Sequence, residues 1–493
     1  MHTMSVVNPV HFFKSTLPQQ LLERYDTVVV GAGMAGLTAA ALLSKQGKSV
    51  LVLERNYLPG GCSSSYFRSG AIFESGATTL VGLSDEMPLR KVIDELNIQI
   101  DAKQLEIPMQ VHLDSGICIT RYQDREEWIA EAERVFGIIG QRKFWQRCFE
   151  ISDFVWEASM RFRFFPPSNF RDLIHLAQKA KPGDFLFARF AFQSMEQWMK
   201  ECHLDRNTDF VRFVDQQLMI TAQNTAADVN LLFGATALCY TNYPNYSLPG
   251  GMVTLVRAFT DSIASNGGHL LYRCSVQNIK KENHATWLIE CESGSFRCKN
   301  LVSAIPVQNF NDLISPESKL DIRAHGQLNS ALQFNAIIQN WGGDKALHHQ
   351  VHLPGTAGSI FFSVSDRGDL SRAAANSRVL SATTHSKLSN EARPNKEEWA
   401  QSVMALAEAK NLFKREDVLT YHVSDAANWE KWTGRYRGFV GGIPQFMRIK
   451  PWMMNKQQKG NNLFFCGDSV YPGQGIPGVV LSGWQVAGRM LRK

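Results

Sequence analysis

What this 493-residue sequence lacks narrows it first. No C-x-x-C pair occurs, and the nine cysteines are odd in number and scattered. That favours reduced thiols in a cytosolic setting over disulfides or zinc, so no metal site is expected. No basic tract stands out. The 52 lysines and arginines face 46 acids for a net charge of +6, and no patch suits a nucleic-acid partner. A mildly basic face remains compatible with anionic lipid. No tandem repeat or low-complexity tract is present, which argues against dominant disorder. The opening "MHTMSVVNPVHFFKSTLPQQ" has no continuous apolar core of a signal peptide. The uncharged stretch Thr27–Ser44 holds three glycines and barely reaches membrane-spanning length, so no transmembrane helix is expected.

What is present is enough apolar residue, 44%, for a large core and two to four domains. "YDTVVV" (Tyr25–Val30) is a β-branched apolar run suited to a central parallel strand. Gly31, Gly33 and Gly36 follow in G-x-G-x-x-G spacing, with Met34 and Ala35 between the last two. "LTAAALLSKQGK" then reads as a helix and "SVLVLE" (Ser49–Glu54) as a second buried strand. Gly31 permits the tight turn, Gly33 lets backbone approach a pyrophosphate, and Gly36 allows close helix–strand packing. Glu54 stands where a carboxylate accepts ribose hydroxyls, with Arg55 beside it. The whole unit is a dinucleotide site.

The next stretch, "LPGGCSSSYFRSGAIFESGATTL", brings a second close backbone approach at Gly60 and Gly61. The C-terminal "NNLFFCGDSVYPGQGIPGVVLSGWQVAGRML" has a strand, Gly467-Asp468, and a glycine-rich turn into a helix. Both resemble FAD-dependent oxidoreductases of the amine oxidase and phytoene desaturase superfamily, so the cofactor is expected to be FAD. The resemblance implies that Asp468 meets the ribityl chain and that Gly475, Ile476 and Pro477 face the flavin edge, where a helix N-terminus stabilises negative charge. It also implies that Val276 contacts adenine through backbone atoms. With "SATTHS" and "WTGRYRGFVGGIPQ", the chain resembles the carotenoid desaturase and isomerase branch, most of all bacterial carotenoid 3,4-desaturases. Many desaturases and amine oxidases carry Arg after the second glycine pair. Here Cys62 stands there, read as a small residue fitting beside backbone in the cofactor-binding stretch and not as a redox thiol.

The expected fold class is α/β, a discontinuous Rossmann-like FAD-binding domain with an interleaved α+β substrate domain. FAD-binding segments are placed at 22–86, 246–310 and 431–493. Substrate segments are placed at 87–245, mostly helical, and 311–430, strand-rich. "GSFRCKNLVSAIP" (Gly294–Pro306) reads as two strands.

The resemblance implies an apolar polyene substrate drawn from a membrane. Ser159–Met195 carries Phe162, Phe164, Phe165, Phe185, Phe187, Phe190 and Phe192 among basic residues, as a segment lying in a headgroup layer would. This places the protein in the cytoplasm, peripheral on the inner membrane face. Desaturation by hydride transfer to flavin needs only a proton acceptor and an aligned bond. His385 of "SATTHS" is the candidate acceptor, with Asp366 and Asp369 second. His348, His349 and His352 read as exposed loop histidines, and "WTGRYRGFVGGIPQ" as a hairpin offering Arg435. No motif identifies the electron acceptor. Competing readings are a cis–trans isomerase using reduced FAD, a retinol or carotenoid saturase, an amine oxidase, and a non-catalytic prenyl-protein carrier of the GDP-dissociation-inhibitor type. The intact glycines, Glu54 and Asp468 count against the carrier.

Overall fold

A computed structural model describes residues 6–283, 285–320, 328–343, 345–356, 358–388 and 395–492. Two large sheets organise it. The nucleotide sheet is centred on Arg24–Val30, whose last four residues are all buried. Its strand order runs 269–271, 50–53, 24–30, 294–303, 286–291 and 276–283, with 463–465 also parallel to 294–303. Three stretches far apart in the chain thus share one sheet. The α/β class with an interleaved second domain is what is observed.

The helix Met34–Lys45 starts at Gly33, buries nearly every residue, and ends before Gly47 at φ +71°. Its closeness to the sheet is the work of Gly36. A Cβ there would lie 2.3 Å from the Gly31 oxygen and 2.8 Å from the Ala304 Cβ. The terminal helix Ile476–Leu491 packs on it just as tightly, since a Cβ on Gly483 would sit 2.3 Å from the Ala35 oxygen.

The second sheet has strand order 418–424, 329–338, 378–387, 359–364, 348–352, 109–112 and 118–121. Alternation along its strands divides two faces. Phe334, Ala336, Leu380, Ala382, Ile360 and Phe362 pack with the helix Lys396–Ala409 into one core. The opposite positions (Asn329, Ala331, Ser381, Thr383, His385, Ser359, Phe361 and Ser363) face a cavity. Helices between Arg125 and Leu238 close that cavity from the other side, around a core that holds Trp128, Trp145, Phe210 and Phe213.

Residues 87–245 are mostly helical and also lend the hairpin 109–112/118–121 to the sheet built from later residues. Three local expectations are corrected. Gly294–Ser303 is one ten-residue strand, because its first half pairs with 286–291 and its second with 463–465. His348, His349 and His352 lie on the fully buried strand His348–His352 and not in a loop; His112 Nε2 lies 2.9 Å from His349 Nδ1. Hydrophobic neighbours on both sides outweigh the polarity that suggested exposure. The "WTGRYRG" stretch is no hairpin: the helix Ala426–Thr433 ends at Gly434 with φ +71°, and a short turn follows. The His-Gly-Gln that opens the sequence pattern before Leu328 lies outside the described residues.

Candidate active site

The glycine loops of the first fifty residues meet the second glycine pair directly. Gly33 and Gly60 form a parallel bridge, and Gly60 N donates to the Ala32 oxygen at 2.8 Å. No atom lies within 4 Å of where a Gly33 Cβ would be, whereas Gly60 adopts φ +109° hard against Ser64. The result is a backbone-walled cradle at the start of the helix. Met34 and Ala35 are its first buried helical residues. Glu54 sits at the rim. Its carboxylate accepts from Ala32 N and Asn56 N, both at 2.8 Å. Burial pushes its pKa up, opposed by those two amides. Four lone-pair directions leave it room for further donors. Arg55 points outward and donates to the Lys431 oxygen at 3.0 Å. Cys274 N donates to the Glu54 main-chain carbonyl at 2.9 Å, two residues before the strand Val276–Asn283 begins.

The C-terminal motif arrives at the same place. A Cβ on Gly467, whose φ is +114°, would lie 4.0 Å from the Ala35 Cβ. The Asp468 carboxylate pairs with Arg435 Nη2 at 2.9 Å, and Arg435 Nε donates to the Phe439 oxygen at 2.7 Å. Gly475 at φ +84° caps the terminal helix with no side chain over its N-terminus, and Pro477 lies in the first turn. Its free N–H groups therefore have no side-chain partner from the cap residue. Cys62, Asp468, Gly475, Ile476 and Pro477 all line the cavity. Burial pushes the Cys62 thiol up, so it stays protonated at neutral pH, as a small packing residue would.

The cavity itself is large, about 1570 Å³. Drug-sized pockets occupy roughly 300–1,000 Å³. Its walls are mostly apolar: Val155, Phe162, Phe165, Leu232, Phe233 and Trp429 are among them. His385 lines it, with its pKa lowered to about 4 by burial, so it is neutral at ordinary pH. Asp366 and Asp369 do not line it. Asp366 pairs with Lys103 at 2.6 Å, and Asp369 accepts from Gly250 N at 3.0 Å, so both serve turns. Among the described residues, no group of three or more His, Cys, Asp or Glu could hold a metal ion.

Sequence reasoning missed the amide cluster beside the Asp468 turn. Gln223 Nε2 donates to the Val440 oxygen at 2.8 Å and to Gln474 Oε1 at 2.7 Å, and Asn329 Nδ2 donates to the Gln223 oxygen at 3.1 Å. Nothing local marks these residues, since 251 positions separate Gln223 from Gln474. The eight phenylalanines of Ser159–Met195 also divide in a way composition does not show. Phe164 and Phe190 are buried, while Phe185 is 76% exposed and Phe192 63%. Phe170, Leu173, Ile174, Leu186 and Trp452 add to the exposed apolar surface, and Phe185 and Trp452 also line the cavity.

The family profile of the flavin containing amine oxidoreductases matches residues 34–491. The chain belongs to that family. FAD is accordingly its cofactor, and the cradle fits it: an open Gly33, a carboxylate rim and an uncapped helix N-terminus at the cavity. Prolycopene isomerase 2 of an Oncidium hybrid cultivar is 24% identical over 95% of this chain and 84% of that protein. The all-trans-retinol 13,14-reductase of Danio rerio is 29% identical over 54% of this chain and 44% of that protein. Among solved structures, putrescine oxidase with putrescine bound shares the fold at a TM-score of 0.66 and 16% identity, covering 95% of this chain and 99% of the other. Among the described residues, no helix is long and apolar enough to cross a membrane.

Proposed function

We propose that this flavoenzyme family member acts on a long apolar polyene and isomerises its double bonds without net oxidation. The carrying observation is the cavity. Beyond the cofactor end its wall is mostly apolar, as suits a long hydrocarbon better than a polar amine, and it begins at the helix N-terminus beside Asp468. FAD, when bound, supplies reversible electron or hydride exchange with a conjugated chain. The chain's own residues do the rest. Phe162, Phe165, Leu232 and Phe233 hold the polyene by burial and keep water out. The N–H groups at Gly475–Gly478 stabilise negative charge at the cofactor edge. Asp468, oriented by Arg435, holds the ribityl side. Glu54, Gly60, Gly61, Cys62, Val276 and Gly467 complete the cofactor shell in this reading, whereas the Arg55 side chain is turned away onto Lys431.

Relatives matching nearly the whole chain are named isomerases, which favours isomerisation over the desaturation that the motifs suggest. Desaturation keeps one observation in its favour: a neutral histidine, His385, on the cavity wall and able to accept a proton. Exposed Phe185 and Trp452, which line the cavity, together with exposed Phe170, Leu173 and Leu186 on the helices 170–179 and 182–188, support docking on a membrane surface, where such a substrate resides.

The test is expression in cells that accumulate a poly-cis or an all-trans acyclic carotenoid, followed by absorption and mass of the extracted pigment. A spectral shift at constant mass supports isomerisation. Loss of two mass units would replace it with desaturation, and gain of two with saturation.

A further inference from the structure

Two of the nine thiols touch, and neither lines the cavity. Cys274 Sγ donates to Cys291 Sγ at 3.0 Å, and Cys291 Sγ donates in turn to the Gly294 oxygen at 3.2 Å. Among the described residues, no other two cysteines are hydrogen-bonded to each other. Chain topology brings the two together. Cys274 follows Arg273, whose φ of +55° turns the chain beyond the strand His269–Leu271. Cys291 ends the strand Thr286–Cys291, opposite Val276 in the ladder. Closing the contact into a disulfide asks for a shift of about 1 Å. Cys291 is the side that can give. It adjoins the exposed Glu292 and Ser293, whereas Cys274 is held by its own backbone.

That backbone belongs to the cofactor rim. Glu54 N donates to the Leu271 oxygen at 2.8 Å, Arg273 N to the Asn56 oxygen at 3.0 Å, and Cys274 N to the Glu54 main-chain oxygen at 2.9 Å. Residues 271–274 thus fasten the segment that carries the Glu54 carboxylate. We propose that Cys274 and Cys291 are a reversible redox site, at which a hydroperoxide forms a disulfide tying that segment to the hairpin 286–303. The inference does not depend on the substrate.

The two sulfurs divide the chemistry. Once Cys274 loses its proton, the Cys291 S–H can turn to it, and the Ser293 hydroxyl and amide also donate. These bonds hold Cys274 below the ordinary thiol value against the opposing effect of burial. The same contact pushes Cys291 up, so only one of the pair ionises readily. The Cys274 thiolate attacks one oxygen of hydrogen peroxide. The O–O bond breaks, a sulfenic acid forms, and the other oxygen leaves as water with the proton Cys274 gave up. The Cys291 sulfur then attacks the Cys274 sulfur. The S–S bond forms, the S–O bond breaks, and the hydroxyl leaves as a second water with the Cys291 proton. Two thiols and one peroxide thus give one disulfide and two waters. Only a small oxidant suits the site, since Cys274 is 1% exposed and Cys291 8%.

The test uses the FAD-loaded full chain, reduced and then freed of reductant. Hydrogen peroxide is added in rising amounts, and free thiols are counted after unfolding. The count falls from nine to seven before the partly exposed Cys62 or Cys118 is modified, and dithiothreitol restores nine. Peptide mapping recovers one cross-link, Cys274 to Cys291. In Cys291→Ser no cross-link forms and dimedone traps a sulfenic acid on Cys274; in Cys274→Ser the same dose leaves Cys291 free. Flavin release in dilute urea is about tenfold slower from the oxidised parent, because the cross-link limits local opening of the rim. Neither serine variant shows that slowing. Oxidation of Cys62 or Cys118 while Cys274 and Cys291 stay free overturns the redox site, as does a cross-link to any other cysteine. Equal flavin release from the reduced and oxidised parent overturns the tie to the cofactor rim.

Discussion

The two sheets of this molecule are built on opposite rules. The nucleotide sheet buries apolar side chains on both faces, as Thr27–Val30 and Val50–Leu53 do. The cavity sheet buries just as completely along Asn329–Ile338, yet mixes Asn329, Gln333 and Asn335 among its apolar residues. In the proposed reading one sheet is a platform that holds the cofactor through backbone, and the other is a wall whose side chains meet the substrate. Binding of the cofactor should therefore be sensitive to glycines, and handling of the substrate to side chains.

The sharpest way to break that contrast is Gly36→Val. Its Cβ has no room beside the Gly31 oxygen and Ala304. The purified protein should be colourless, with flavin absorption lost. Thr383→Val, on the cavity wall, should leave flavin content unchanged. If Gly36→Val remains yellow, the cradle is not where the cofactor sits.

Acid should separate the sheets next. His112, His352, His385 and His422 are each held down to about 4 by burial, and His348 to about 3. All five lie on strands of the cavity sheet. Above the ordinary histidine value of 6.5 both folded and unfolded states are neutral, so these groups have no effect. As pH falls from 6.5 towards 4, the unfolded chain takes up protons that the fold refuses. Stability should then drop by up to about 1.4 kcal/mol per pH unit for each histidine. Melting temperature measured from pH 8 to pH 4 should fall below 6.5, and less steeply in His348→Leu. A flat profile would mean these rings are hydrated.

A smaller effect is expected at Arg435→Met, which leaves the Asp468 carboxylate without its ion pair. Breaking such a pair costs about 3–5 kcal/mol when fully buried. A loss nearer the low end, seen in the melt together with faster flavin release, fits the slight exposure of both partners. His385→Gln sharpens the functional side. Isomerisation without proton transfer predicts turnover within about threefold of the parent, and desaturation through this residue predicts a fall of about a hundredfold. Flavin content should be constant in either case. Last, Phe185→Glu/Leu186→Glu should reduce co-flotation with lipid vesicles while leaving the melting temperature alone, since both side chains are exposed.

The same contrast explains what could be read in the sequence. Gly31, Gly33, Gly36 and Glu54 lie within one strand–turn–helix–strand unit, so spacing alone conveys their roles. The α/β class needed little more, whereas FAD rested on the resemblance carried by Gly60-Gly61 and the C-terminal Gly467-Asp468 motif. The cavity wall is different. Gln223 meets Gln474, Gln216 meets Gln350, and Arg435 meets Asp468 across sheets and helices, and no local pattern marks any of these partners. The buried histidines were misread for the same reason: "KALHHQVHLPG" is polar by composition, and only the strands on either side bury it.

The nucleotide sheet also sets a schedule. Its central strands come from residues 24–30, 294–303 and 463–465, and the helix that closes the cradle ends at Leu491. At roughly 5–20 residues per second, about twenty seconds to a minute and a half pass before the last strand exists. For all that time the apolar Val28–Val30 and Val50–Leu53 have no complete sheet and no cofactor to cover them. The site is complete only once residues up to Leu491 have been made, so a ribosome stalled short of Leu463 carries a chain that cannot hold flavin.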